Sequence, residues 1–371
     1  VSSTLGRIDA TTNNTTIIYR GSLPQSIESN VFLNENAHNV TVDNGAGVTV
    51  NADFTLNNNL IINASKKLIV SAVKSLRVNG TVSNFAGTEG VLIRASSVQP
   101  NASLIFFNAE SNPIQATVEM YSRSTWDLSR PSGSRYNWQF FGTPIRTSNA
   151  WQTFPLIPDT ATGIASDPVN QGFVRRQNEA GNSTTYWLQL FNDNINRAYN
   201  DSSLIPFVGY EQCYQTTRTF AFKGELVNRS FVSGQLAKTT GAFYPGQHIL
   251  SNPYTAAIDI RQLDFGSDME KTIYLYNTGT YNQWLSSDTK LGATPGQYVS
   301  IPYNLAGISG LPLQIPSMSS MLVRVNTSTP NAYLNIPYNA VIMGNNEMQR
   351  VRSNQRTDRK STRLNSSHGI I

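Results

Sequence analysis

Side chains able to do chemistry are few and widely spaced in this chain. Asp259, Asp264 and Asp268 are the densest group of carboxylates, and hard cations such as calcium prefer oxygen ligands of this kind. Their spacing lacks the regular pattern of a calcium-binding loop, so solvated loop charges are the competing expectation. Asp43 and Asp53 are the acids of an apolar repeat near the amino-terminal end. Glycoside hydrolysis needs two carboxylates about 5 to 9.5 Å apart across a cleft. Neither has an acidic partner at a matching repeat position, so both read as turn residues. His38 and His248 stand far apart in the chain, and Cys213 has neither a C-x-x-C partner nor a neighbouring base. Aromatic residues carry the stronger signal. The pairs Tyr186/Trp187 and Tyr281/Trp284 flank polar stretches; rings of this kind stack on sugar faces when exposed, and packing into a core is their alternative fate. Phosphate loop, nucleophile elbow and HExxH patterns are all missing. No catalytic or cofactor-binding residue is expected.

The elements that must position these groups are β-strands. Between Asn39 and Val82, apolar pairs recur with one residue between them: Val40/Val42, Val48/Val50, Phe54/Leu56, Leu60/Ile62, Leu68/Val70 and Leu76/Val78. Period-two alternation puts each pair on one face of a short strand and turns Thr41, Thr49, Thr55 and Arg77 the other way. Asp43-Asn44-Gly45, Asn57-Asn58-Asn59, Ser65-Lys66-Lys67 and Asn79-Gly80 separate the pairs as turns. With three strands per coil, this predicts a short β-solenoid over residues 1–122 with a handful of rungs and a cap at each end. A meandering β-sandwich is the alternative. Charged residues are only 14% of the chain and aromatics 10%, a composition that suits strands and polar loops better than amphipathic helices.

Between Ser122 and Arg135, Ser, Arg, Pro and Gly replace the alternation, which marks a domain boundary. Further strand-like segments follow, among them Tyr136–Ile145, Tyr186–Leu190, Thr219–Gly224, Gln247–Tyr254 and Thr272–Asn277. Pro245-Gly246 and Pro295-Gly296 fit type II turns. Residues 123–342 therefore read as a β-sandwich or jelly-roll-like domain, and 343–357 as the start of a further region. Asp358 to His368 reads DRKSTRLNSSH, the translation of a common sequencing adapter, so 358–371 are set aside from fold reasoning. Without that stretch the formal net charge falls from +5 to +3. The remaining charge forms no patch or stripe, which argues against nucleic acid as a partner. No apolar run approaches the roughly 18 residues of a membrane helix, so no transmembrane segment is expected.

Several segments resemble large secreted and cell-surface proteins of Bacteroidota that are exported by the type IX secretion system. Tyr19-Arg20-Gly21-Ser22-Leu23-Pro24-Gln25-Ser26-Ile27 and Asn79-Gly80-Thr81-Val82-Ser83-Asn84 are similar to their amino-terminal regions. Trp138 to Ile145 resembles their W-x-x-x-x-x-P-I segment, and HILSNPYTAAIDI from His248 to Ile260 their GNPYPSAID segment, with Ser251 and Thr255 replacing a glycine and a proline. Ile315 to Val323 resembles an IPxMQGFFV strand altered at Ser319, Ser320 and Met321. The resemblance implies an extracellular or outer-membrane-surface location and the secretion machinery as a partner. The expected function is a non-catalytic structural or adhesion protein. A carbohydrate-binding accessory region of a secreted polysaccharide-active enzyme is the alternative, with extracellular polysaccharide or surface glycans as partners; a solenoid that itself cleaves polysaccharide is a third and weaker reading.

Overall fold

The computed structural model describes residues 6–97, 100–127, 129, 136–146, 148–149, 173–190, 203–214, 216–278 and 297–344. Tyr281, Trp284 and the adapter-like stretch 358–371 lie outside them. The described chain is all β, its helical content being short 3-10 turns such as Gly87–Glu89 and Ile260–Gln262.

Five rungs of a β-solenoid form first. The first holds β1 (Ile8–Ala10), β2 (Thr16–Gly21) and β3 (Gln25–Ile27), and the second β4 (Phe32–Ala37), β5 (Asn39–Asn44) and β6 (Val48–Val50). β7 (Phe54–Leu56), β8 (Leu60–Ile62) and β9 (Leu68–Val70) make the third. β10 (Ser75–Val78), β11 (Val82–Asn84) and β12 (Val91–Ile93) make the fourth, and β13 (Ser103–Phe106) and β14 (Gln115–Ser122) close the series. The strands stack into three parallel sheets, β1-β4-β7-β10-β13, β2-β5-β8-β11 and β3-β6-β9-β12-β14. The apolar pairs fall one per face, so every third pair stacks: Val40/Val42 on Leu60/Ile62, Val48/Val50 on Leu68/Val70, Phe54/Leu56 on Leu76/Val78. All twelve of these side chains are buried.

Corner residues do more than turn the chain. Ser65 (φ 60°) and Gly47 (φ 91°) adopt the left-handed conformation expected of turns. Gly80 is needed for a different reason: a Cβ there would lie 2.7 Å from the carbonyl of Asn58 one rung below. Asn44, read from sequence as a turn residue, is wholly buried at the end of β5. Its amide donates to the Leu23 carbonyl and to Gln25 Oε1, and its Oδ1 accepts from the Ala46 backbone. Asp43 accepts from Asn63 Nδ2 and pairs with Arg20, while Asp53 accepts from the Ser75 backbone. Both carboxylates therefore join rungs, and the neighbours hold that of Asp43 below its ordinary pKa, the Asn63 hydrogen bond being the largest lowering cause.

The last rung is closed by chain from beyond the expected boundary. β14 pairs in parallel with β12 and, along all eight of its residues, antiparallel with Arg218–Glu225. This caps one end of the stack. Farther along, two four-stranded antiparallel sheets meet. One orders Gln139–Phe141, Tyr210–Cys213, Phe173–Gln177 and Trp187–Gln189; the other orders Gln247–Ser251, Ser320–Arg324, Thr272–Asn277 and Gln297–Pro302. The stretch expected as one strand over Tyr136–Ile145 is split, Tyr136–Asn137 pairing with Thr125–Trp126 and Gln139–Phe141 with Tyr210–Cys213.

The family-like motifs knot these parts together. Asn252 Nδ2 donates to the carbonyls of Ala256, Ile315 and Pro316, and its Oδ1 accepts from the Tyr254 backbone. The Tyr254 hydroxyl donates to the carbonyls of Arg229 and Ile336. Both departures from the family pattern are used: Ser251 Oγ donates to the Val208 carbonyl and Thr255 Oγ1 to the Leu104 carbonyl of β13. Gly142 leaves the space that Ser251 fills, since a Cβ there would lie 2.2 Å from Ser251 Oγ.

Candidate functional site

The expected carboxylate group does not converge. Asp259 caps the short helix Ile260–Gln262 by accepting from the Arg261 backbone and forms an ion pair with the Arg261 guanidinium at 2.7 Å. Asp264 is exposed on the strand Asp264–Phe265, and Asp268 accepts from the Thr329 hydroxyl. Among the described residues no group of three His, Cys, Asp or Glu side chains could hold a metal ion. His38 lies just before β5, whereas His248 sits in the strand Gln247–Ser251 with Nε2 2.7 Å from the Ala237 carbonyl. Burial lowers the His248 pKa. Cys213 is a buried free thiol beside the Asn137 carbonyl, and burial pushes its pKa well up.

The aromatic lead resolves into two adjoining environments. Trp187 is half-buried, its ring 6.1 Å from that of Tyr186, and it packs toward Arg175 and Phe140. The Arg175 guanidinium lies 3.8 Å from the Trp138 ring centroid and 4.8 Å from that of Trp187, and it pairs with the carboxylate of buried Glu211. Burial pushes the Glu211 pKa up to about 7, against the lowering pull of Arg175. Phe140 joins this group, 6.3 Å from Trp187, 4.8 Å from Tyr276 and 6.0 Å from Tyr298, and so bridges the two facing sheets. A partly buried cation held between rings is well suited to bracing a sheet edge.

Tyr186, one residue earlier, faces a different neighbourhood. Its ring stacks on Phe243 at 4.8 Å and meets Tyr244 edge-on at 5.3 Å. Neither Phe243 nor Tyr244 stood out in the sequence, because both lie in the stretch 237–246, which has no alternation around them. The signal that could have found them is the run Phe243-Tyr244-Pro245-Gly246, two rings set on a turn. Tyr281 and Trp284 lie outside the described residues. The site offers ring faces and hydroxyls for binding; its buried carboxylate, Glu211, is already paired with Arg175.

Comparison with known proteins adds one relation. The chain is 34% identical over 280 residues to the minor fimbrium subunit Mfa5 of Porphyromonas gingivalis. It is similar to a fimbrial protein. The match covers 72% of this chain and 21% of that protein, so the chain spans about a fifth of the length of this curated relative. P. gingivalis belongs to the Bacteroidota, the group to which the sequence motifs pointed. No family model matches the chain, and no solved structure matches it. No helix among the described residues is long and apolar enough to cross a membrane.

Proposed function

We propose that this chain is a non-catalytic structural and adhesive part of a protein that lies at the cell surface or outside the cell. Its similarity to the minor fimbrium subunit over most of its length carries this reading. The architecture accords with it: a solenoid stacked rung on rung is joined to the antiparallel part along the whole of β14. Assembly with other surface proteins follows as its partnership, and export through the type IX system is the route implied by the sequence motifs. The accessory-region alternative, in which the chain serves a polysaccharide-degrading enzyme, gains no support from the fimbrial relation.

Location and assembly are testable together. Antibodies raised against the chain are expected to label intact, unpermeabilised cells of the organism that makes it. Mechanical shearing should release the antigen together with surface fibres. Labelling that needs permeabilised cells would remove the surface reading, and a surface antigen that never accompanies fibres would remove the fimbrial one.

A further inference from the structure

The group Tyr186, Phe243 and Tyr244 has the features of a built contact rather than of core packing. Phe243 is 45% exposed and Tyr244 40%, and none of the three rings belongs to either hydrophobic core of the molecule. Phe243 and Tyr244 meet edge-on at 4.6 Å, so the three rings touch pairwise and share one surface.

Exposed rings usually gain little from order, yet the backbone beneath these is heavily pinned. The Glu179 carboxylate accepts from the Thr239 backbone, the Thr239 hydroxyl and the Gly246 backbone. Phe243 N donates to the Gly181 carbonyl, and Lys238 Nζ to the Asn326 carbonyl. On the Tyr186 side, Asn182 Oδ1 accepts from the backbones and hydroxyls of Thr184 and Thr185. Gly246, at φ 76°, closes the loop in a conformation that favours glycine. Rings held in place before binding lose little entropy on meeting a ligand.

We propose that Tyr186, Phe243 and Tyr244 form a stacking platform for neutral sugar rings. The proposal rests on the surface reading above and adds the chemistry of contact. Size selects the occupant. Rings of roughly 200 Å² each, exposed to these fractions at Phe243 and Tyr244, present on the order of 170 Å² together, with a smaller share from half-buried Tyr186, far below the about 800 Å² per partner of a stable protein interface. One or two pyranose faces match that area. Charge selects further, because the ionic groups at the base are engaged: Glu179 by three donors and Lys238 by a carbonyl. Tyrosine hydroxyls remain as the polar atoms that a sugar hydroxyl would meet.

The test is titration calorimetry of the full chain with cellohexaose, xylohexaose, mannohexaose and β1,4-linked galactohexaose, and with an oligogalacturonate as the charged comparison. Binding to at least one neutral oligomer is expected. Phe243→Ala should weaken it roughly tenfold or more, Phe243→Trp should retain it, and Val232→Ala, exposed elsewhere, should leave it unchanged. Because Phe243 lies outside both cores, its alanine variant should unfold at nearly the wild-type temperature, which separates lost stacking from lost folding. No binding by any neutral oligomer, binding confined to the oligogalacturonate, or unaltered affinity in the Phe243→Ala/Tyr244→Ala double variant would each overturn the proposal. Cell labelling reads the surface location independently of any sugar.

Discussion

Glu179 shows how one side chain sets the shape of a surface. It receives three hydrogen bonds from the loop that carries Phe243 and Tyr244, and those from Gly246 and Thr239 hold its pKa below the ordinary carboxylate value despite partial burial. A lowered folded-state pKa means that the stabilisation is present above the unfolded value, about 4.5, and is lost as pH falls through the folded one. Glu179→Gln should therefore melt earlier than wild type at pH 7, with the two melting temperatures converging as pH falls through the lowered folded-state value. Glu211 has the opposite sign. Burial raises its pKa to about 7 from the ordinary value of 4.5, so the folded state holds the proton more tightly than the unfolded chain. Its contribution to stability falls as pH rises from about 4.5 to about 7. Urea titrations across that window should show a decline in the wild type that Glu211→Gln lacks; equal slopes would mean that Arg175 keeps the carboxylate ionised throughout.

In the solenoid, each strand is too short to stand alone and gains its stability from the rungs above and below. Ile62 is fully buried in β8, stacked between Val42 of β5 and Asn84 of β11. Ile62→Ala should cost about 2–5 kcal/mol through lost burial and a cavity that regular stacking cannot collapse. Gly80→Ala should cost about 1–3 kcal/mol by forcing a corner away from Asn58; chemical denaturation measures both. The rungs were legible in the sequence because β-strand burial has period two and each apolar pair fell on one face of the coil. The first strand, Ile8–Ala10, and Phe32–Ala37 escaped notice because the register between them shifts and Asn34 and Glu35 take positive φ, which breaks the alternation. Asn44 was misread for a related reason: asparagine suits turns, but its amide equally suits bonding from rung to rung, and only the stacking shows which role it has.

At the scale of the molecule, the boundary drawn after Ser122 marks a change of pattern without a break in packing. Composition shifts where parallel coiling ends, but β14 continues directly into an antiparallel partnership with Arg218–Glu225, a pairing across about a hundred residues that no local signal announces. One hydrophobic core holds Val42 and Val70 of the solenoid together with Phe141, Tyr210 and Phe222; the other takes Ile105 of β13 in among Tyr254, Ile258 and Tyr338. The aromatic platform was half legible for the same reason, since Tyr186 is joined by rings from a loop distant in sequence. Cores that cross a boundary in both directions should unfold together. Phe222 lies opposite Val118 of β14, is fully buried, and touches Phe141 at 6.3 Å between ring centroids. Phe222→Ala should cost about 3–5 kcal/mol and lower the whole protein's melting in a single calorimetric transition, with the β14 amides losing exchange protection in step with those of core strands such as Gln247–Ser251. A variant that instead splits into two transitions, the solenoid melting at its wild-type temperature, would show that the stack is closed by its own rungs and that the antiparallel cap is dispensable. A surface protein under load gains from the first arrangement, because a pull on either part is then resisted by the packing of both.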